Sequence, residues 1–557
     1  MKYLHFSVKK MRIFTCLYAL TVLFSIAVSA QENGDIPSGK TLYSQIKTFN
    51  LNGGRAEVSN LTLKRDRVEM TFNGTFYFTV PIGGKVTGAV FIGQGNFQSE
   101  VPLNEFEKNN VKRMLNADTV ESDFKTAVLR FTDDTFDIIG KNKTDGTAAA
   151  EAQKLAAELE SRFLKETGAN LSARVAMSLL NKENPGFFFA NFDGGKRERF
   201  SYVLDQQNRI PTNFFGINGG EKGLIFAYRS SIYDNEVWMA FYGLNDYQRQ
   251  RVDYSDVNDL VDITHYKMDL DLRTPKRKLG LKTKVSMTAR FAGIRAIPFT
   301  IGESLGEADD VRLKKQLRLK SANLGTETLE FTQEDWEGGV TLYLSKPLQT
   351  GQKIDIDFDL EGDFVRQPQF FENCHYPRST TDWYPRHGYL DRATFEMSFS
   401  HPKNLKIATN GVRQSEDISA DEKDTMITKY KMEHPVALIT FAMAQFKRYT
   451  DEIKWDSGEK PTVLEYNSLT EIPIKEDFIM AELNNSVRNF HALFGKYPYD
   501  TYGAAFHPFG FGQGFPSMLM IPTPIAPTKK RLPLSPTKRR INGGEISSRG
   551  VRIEING

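Results

Sequence analysis

Hydrolysis by a metal-activated water needs two imidazoles four residues apart on one helix face, a third ligand from elsewhere and a carboxylate to take the proton. Beyond the first thirty residues the histidines are His265, His375, His387, His401, His434, His491 and His507, and no two are four apart. His375 and His387 flank an aromatic, arginine-bearing stretch and could be imagined as ligands. No acidic or cysteine partner stands beside them at metal spacing, so the sequence favours hydrogen-bonded residues of a β-loop. Phe187-Phe188-Phe189 reads as core rather than as a ligand platform. Neither a serine nucleophile nor a nucleotide-binding loop is assigned, and no catalytic or metal-ligating residue is expected in the chain as it stands.

The elements that would position any site come next. A chain of 557 residues, 40% hydrophobic and 12% aromatic, has room for about three domains, each with its own core. The formal charge is +3, but the segment from Thr528 holds eight Lys/Arg against two Asp/Glu, so the remainder is about −3. A nucleic-acid partner would therefore rest on that segment alone, and none is expected. Residues 1–30 read as an export signal, with Lys2, Lys9, Lys10 and Arg12 before the apolar run Ile13 to Ile26 and Val28-Ser29-Ala30 as the cleavage site. The expected location is exported, periplasmic or secreted, with no integral membrane segment after signal removal. Cys16 would leave with the signal and Cys374 remain, so no internal disulfide is expected.

Residues 31–250 read as a β-rich accessory domain with two helices. A polar linker reaches Lys40, and alternating strands follow, with turns at Asn73-Gly74 and Gly83-Gly84. One helix is predicted over Thr147 to Thr167, capped by Thr147 and ended by Gly168, and a second through Val175, Met177 and Leu180. Residues 251–450 alternate in strand fashion from DITHYKMDLDL (Asp262 to Leu272) onward, and helix-forming runs are scarce, so a twisted β-sandwich is expected. From about Ile474 the period becomes helical: Ile479, Leu483, Val487, Phe490 and Phe494 share one stripe, with Gly495 beyond.

In their order, DITHYKMDLDL, the stretch DWYPRHGYLDRATFEMSFSHPKNLKIATNGV (Asp382 to Val412), the helix before Tyr497-Pro498-Tyr499 and FGKYPYDTYGAAFHPFGFGQGFPSMLMIP (Phe494 to Pro522) resemble the zinc metallopeptidases of the aminopeptidase N family. The resemblance covers about Asp262 to Pro522. It implies that residues 251–450 are that family's N-terminal β-domain and that 451–527 begin its catalytic domain. The family's Gly-x-Met-Glu-Asn segment, which lies along the peptide and grips its α-amine, falls here on Gly512, Gln513, Gly514 and Phe515. These are the substrate-binding candidates the resemblance implies. Gln513 can hydrogen-bond but cannot pair ionically with an ammonium group, which puts strict aminopeptidase specificity in doubt. A second reading stays open, in which Gly510, Gly512 and Gly514 only allow the chain a tight turn into a strand.

The family's next element is a helix carrying HExxH, and here residues 528–557 follow instead, basic and proline-punctuated. Reading the codons of that segment from each wobble base permits FIAHETSHQWWGNQFAWRSYRDQW, which resembles the family's zinc helix. Two bases of every codon are fixed, so the expectation is a frameshift between about Pro522 and Pro533 that leaves 528–557 an out-of-frame, disordered tail. The fold class expected is mainly β with some α: an accessory β domain, a β-sandwich and an incomplete helical start. The function implied is an exported zinc metallopeptidase acting on peptide substrates when intact, with zinc as the intact member's cofactor and none expected for this chain. The alternative is a non-catalytic, exported β-rich peptide-binding or scaffold protein.

Overall fold

The computed structural model describes residues 37–522 other than 161–170, 194, 196, 198, 210–219, 228–235, 254–255, 275–277, 303–315, 335–337, 368–373, 380, 389–390, 456–457, 470–474 and 508–511. The expected signal and the tail from Thr528 lie outside these residues. The fold is mainly β. Its first sheet is an antiparallel meander of eight strands in chain order: β1 (Arg55–Arg65), β2 (Val68–Phe78), β3 (Gly88–Ser99), β4 (Glu121–Phe131), β5 (Phe187–Asp193), β6 (Phe200–Asp205), β7 (Gly223–Ala227) and β8 (Glu236–Phe241). One face gathers Phe72, Phe76, Phe91, Phe97 and Phe124 into a closed aromatic core. Their rings meet largely edge to face, as Phe72 and Phe91 do at 4.9 Å, the arrangement the ring quadrupole favours.

Several local expectations change. Asn73-Gly74 is no turn, because β2 runs straight through it. Gly74 faces Gly93, where a Cβ would fall 2.3 Å from the Ile92 carbonyl oxygen, so close strand approach and not chain reversal demands the glycine. Gly83-Gly84 does lie in the β2–β3 connection. The supposed linker gives way at Gly39 to α1 (Gly39–Thr48), where strands were expected; the helix is capped by Ser38 and buries Leu42, Tyr43 and Ile46. A second unforeseen helix, α2 (Glu105–Leu115), is capped by Asn104, whose Oδ1 accepts from the Glu107 amide at 2.8 Å. The short α3 (Thr135–Ile139) follows β4. The helix expected from Thr147 begins later, as α4 (Ala150–Leu159) behind Ala149, with no side-chain cap; its expected continuation falls outside the described residues. α5 (Leu171–Leu180) matches the second predicted helix.

Helices α1, α4 and α5 cover the other face of the meander and share one apolar cluster with the next part of the chain, from Leu42, Val175 and Phe189 to Tyr266, Val285 and Phe395. That next part centres on an eight-stranded sheet containing Val261–Asp271, Leu279–Ala289, Lys353–Gly362, Ala393–Pro402 and Thr425–Val436. Ala393–Pro402 pairs parallel to Val261–Asp271 while its other neighbours run antiparallel. Polar ties fasten the two sheets. The Asn181 side chain, just past α5, accepts from the Arg295 and Ala296 amides at 2.8 Å each and donates to the Ala296 carbonyl. Arg174 on α5 makes a two-pronged pair with Asp205 (2.8 and 2.8 Å) and also reaches Glu183. Glu183 in turn holds Arg209, which donates to the Asn258 carbonyl at 2.6 Å in the connection to the second sheet.

The last sheet is five-stranded and mixed, in the spatial order Phe446–Ile453, Thr462–Leu469, Thr501–His507, Met518–Pro522, Gln513–Phe515. A five-residue helix, α6 (Leu244–Gln248), lies after β8, and the long α7 (Glu476–Phe494) packs on this sheet. The stripe predicted for α7 divides. Leu483 and Val487 are buried against the sheet, whereas Phe490 and Phe494 are exposed, together with Phe478 and Leu493. The helix therefore packs on the sheet along one side while the rest of its apolar stripe is exposed. Among the described residues no helix is long and apolar enough to cross a membrane.

Asp205 and Arg174 are both essentially inaccessible, so removing the carboxylate strands a buried guanidinium. Asp205→Ala is expected to cost about 3–5 kcal/mol in chemical denaturation. A loss below about 1 kcal/mol would show that the tie is not structural.

Candidate functional site

The four candidates of the sequence lie at the rim of the last sheet. Gln513–Phe515 is its outermost strand, paired on one side with Met518–Met520 and with no described strand on the other. Such an edge offers unpaired amides and carbonyls to an extended peptide. Gln513 and Phe515 are half-buried and share one face by the two-residue period; Gly514 points the other way and is exposed. A Cβ at Gly514 would meet nothing within 4 Å, and one at Gly512 only the Met520 carbonyl oxygen and Pro522 Cδ at 3.5 Å. Neither glycine has a left-handed φ. For Gly512 and Gly514 the tight-turn reading finds no left-handed φ to support it, while Gly510 lies outside the described residues; the two described glycines leave the edge without side chains on one face.

A buried asparagine sets the position of this edge. The hairpin turns at Pro516-Ser517, and Ser517 adopts φ 60°, a conformation that non-glycine residues avoid. Asn410, 0% exposed, donates through Nδ2 to the Pro516 carbonyl and accepts the Thr440 amide on Oδ1 at 2.8 Å. Next to it the Gly411 amide donates to Ser517 Oγ (3.2 Å), and the Gly411 carbonyl accepts from Thr501 Oγ1 (3.1 Å). The Gly503 amide donates to the Ser517 carbonyl at 2.8 Å. Gly411 sits at φ 88°, so it turns the chain into this contact as a side-chain-bearing residue rarely does. Asn410-Gly411 fall within the stretch that carries the resemblance, but nothing in the sequence marks them as the clamp on the hairpin a hundred residues later.

The histidines serve local structure. His387 has both ring nitrogens engaged: Nδ1 lies 2.8 Å from the Pro298 carbonyl oxygen and Nε2 accepts from the Leu260 amide at 3.1 Å. Burial lowers its pKa to about 4, which keeps the ring neutral. His401 contacts the Pro402 carbonyl oxygen and Thr428 Oγ1, and His265 contacts Thr394 Oγ1. His491 stacks on Trp455 at 4.1 Å. His375 is buried, its backbone bridged to Met443, and the ring of the adjacent Tyr376 lies 6.5 Å from that of His507. Among the described residues the one trio of His, Cys, Asp or Glu within metal-binding reach is Asp256, Asp259 and Asp391. Arg290 already lies on it, 3.2 Å from Asp256 and 3.6 Å from Asp391. An all-carboxylate trio holding a guanidinium does not fit a zinc ion, which favours imidazole and thiolate.

Two chemistry-bearing runs escaped the sequence reading. Gly34 to Thr41 matches the phosphate-loop pattern, and Gly302 to Gly306 the Gly-x-Ser-x-Gly of a nucleophile elbow. The first ends on α1, where a Cβ on Gly39 would fall 2.1 Å from the Tyr343 ring, the Thr41 amide donates to Ser38 Oγ and the Lys40 amide to Glu330. The helix N-terminus is thus occupied and packed, leaving no cradle for a phosphate. Of the second run only Gly302 lies among the described residues.

No family model and no curated protein matches the chain. Among solved structures, similarity is found to an M1 zinc metallopeptidase from Deinococcus radiodurans, in a variant bound to a Tyr-Ser-Ala substrate, at 16% identity and a TM-score of 0.40. The M1 zinc metallopeptidase from Deinococcus radiodurans in a further structure, and a two-domain M1 zinc metallopeptidase variant bound to L-tryptophan, are similar at 16% identity and a TM-score of 0.39. In each case the match covers 48% of this chain and 64% of the other, so less than two thirds of those proteins is spanned.

Asn410→Ala leaves the Pro516 carbonyl and Thr440 amide without their partner and is expected to cost about 1–3 kcal/mol, with faster hydrogen exchange in 512–522. Gly514→Ala is expected to leave stability within about 0.5 kcal/mol. Unchanged exchange in the first variant would show that Asn410 does not hold the edge.

Proposed function

We propose that this chain is the peptide-holding part of an exported zinc metallopeptidase resembling aminopeptidase N, interrupted by a frameshift before its zinc helix. The observation that carries the reading is the shifted frame itself, which permits His-Glu-x-x-His followed by the family's tryptophan pair directly after the segment that resembles the family's catalytic-domain start. The edge strand Gln513–Phe515 supports it, because a glycine-flanked, one-sided strand can add an extended peptide to the sheet. The described residues do not fit zinc, so no hydrolytic step is assigned to them. Their part is to bind and align a peptide backbone along 512–515, with Gln513 as a neutral hydrogen-bonding group and Phe515 where the family carries a glutamate.

A second reading, a non-catalytic peptide-binding or scaffold protein, is favoured by that same neutral Gln513 and by the lack of a fitting ligand set among the described residues. The two readings separate on a chain whose frame is restored after Pro522. On the first reading it binds one zinc per molecule and hydrolyses peptides, while the present chain binds the same peptides without cleaving them. On the second, restoration adds neither zinc nor activity.

Gln513→Glu adds a carboxylate to this edge, on the face it shares with Phe515, the position of the family's glutamate. Affinity for a free tripeptide relative to its N-acetylated form, read by calorimetric titration, is expected to rise about tenfold. An unchanged ratio would remove Gln513 from the amine's surroundings.

A further inference from the structure

We propose that the seam between the first two sheets is a proton-operated latch, closed when Asp259 and Asp391 are protonated and loosened when both carboxyls are ionised. Three chain segments build it. The connection after the meander brings Asp256 and Asp259, the strand Val261–Asp271 brings Asp262, and the approach to Ala393–Pro402 brings Asp391. Carboxylate oxygens of Asp256, Asp259 and Asp391 lie within 4.8 Å of one another. Arg290 is the guanidinium among them, 3.1 Å from Asp262, 3.2 Å from Asp256 and 3.6 Å from Asp391. From the meander side Arg209 holds the Asn258 carbonyl, within the same connection.

Four carboxylates, Asp256, Asp259, Asp262 and Asp391, share one guanidinium in ion-pair contact, that of Arg290, since Arg209 is already paired with Glu183. Two oxygens show where the excess falls: Asp259 Oδ2 and Asp391 Oδ1 are buried and accept no hydrogen bond, the second with only Arg290 facing it at 3.6 Å. The Asp391 side chain is only 7% exposed, and its other oxygen already accepts the Ile263 amide at 3.2 Å. Asp259 Oδ2 lies against Gly388, within 2.2 Å of where a Cβ would stand, so the carboxylate fits only because residue 388 carries no side chain. Protonation of either carboxyl removes the repulsion between the two, as for any two close acids in low dielectric.

Burial, with added repulsion from Asp256, raises the Asp259 pKa to about 6; burial, offset in part by the Ile263 amide, raises that of Asp391 to about 7. The other groups facing the pair stay silent between pH 5.5 and 8. His387 is held neutral by burial, and Tyr266 and Tyr384 are buried phenols pushed upward; the guanidiniums facing the pair are those of Arg386, Arg290 and Arg209. Both aspartates have folded values above their unfolded ones. The stability they lend is therefore complete below about pH 4 and is lost as the pH rises through about 6 to 7.

Hydrogen exchange on the full chain, corrected for intrinsic rates, reads the latch at the Leu260 and Ile263 amides, which bond to His387 and Asp391. Protection there is expected to fall on the order of tenfold from pH 5.5 to pH 8. Asp391→Asn and Asp259→Asn carry the neutral form permanently, and each should hold the low-pH protection across the range. An equal fall in both variants, or no fall in the parent chain, overturns the proposal. So does failure of both variants to fold, since neutral side chains must be tolerated at these positions.

Discussion

One buried amide, that of Asn410, joins the second sheet to the rim of the last. It is satisfied on both ends, by the Thr440 amide and the Pro516 carbonyl, and it keeps Ser517 in a backbone conformation that the residue would not choose alone. Because Gln513–Phe515 has a strand neighbour on one side only, nothing in the ladder itself prevents that edge from fraying. The clamp supplies the missing constraint, and the geometry that any peptide would meet depends on it.

The ties between the first two sheets obey the same logic on a larger scale. Apolar contact through α1, α4 and α5 makes one core of the two, and buried polar groups fix how they sit. The Arg174–Asp205–Glu183–Arg209 chain is balanced: two guanidiniums meet two carboxylates in close contact. The Asp256–Asp259–Asp391 cluster is unbalanced, since Arg290 and the more distant Arg209 do not neutralise it. A balanced buried network rigidifies, whereas an unbalanced one must take up a proton.

Much of the fold was legible because strand alternation and helical stripes report directly on burial. The run Tyr266, Met268, Leu270 and Leu272 and the stripe through Leu483 and Val487 are buried as their periods require. Phe490 and Phe494 continue that stripe yet stay exposed, because a period marks a face and says nothing of what covers it. Helix α1 was hidden by a short apolar pattern behind a polar stretch. Helix α2 carried a readable signal, Asn104 three residues before Glu107, that was passed over among the strands. The glycines were harder. Gly74 looks like half of an Asn-Gly turn in sequence, and only the facing Gly93 reveals a crossing strand. Of the site, the edge at 512–515 could be placed by resemblance. The clamp at Asn410 and the acidic seam could not, since each joins residues a hundred or more apart without local periodicity.

The functional account rests on what the nucleotides after Pro522 spell, and resequencing the genomic DNA from the codon of Phe511 onward tests this most directly. The account predicts third bases C at Pro536, G at Thr537 and C at Arg540, which spell His-Glu-x-x-His in the shifted frame, with a single inserted or lost base upstream. Any other base at one of these three positions means that no zinc helix is encoded there, and the metallopeptidase reading of this chain fails.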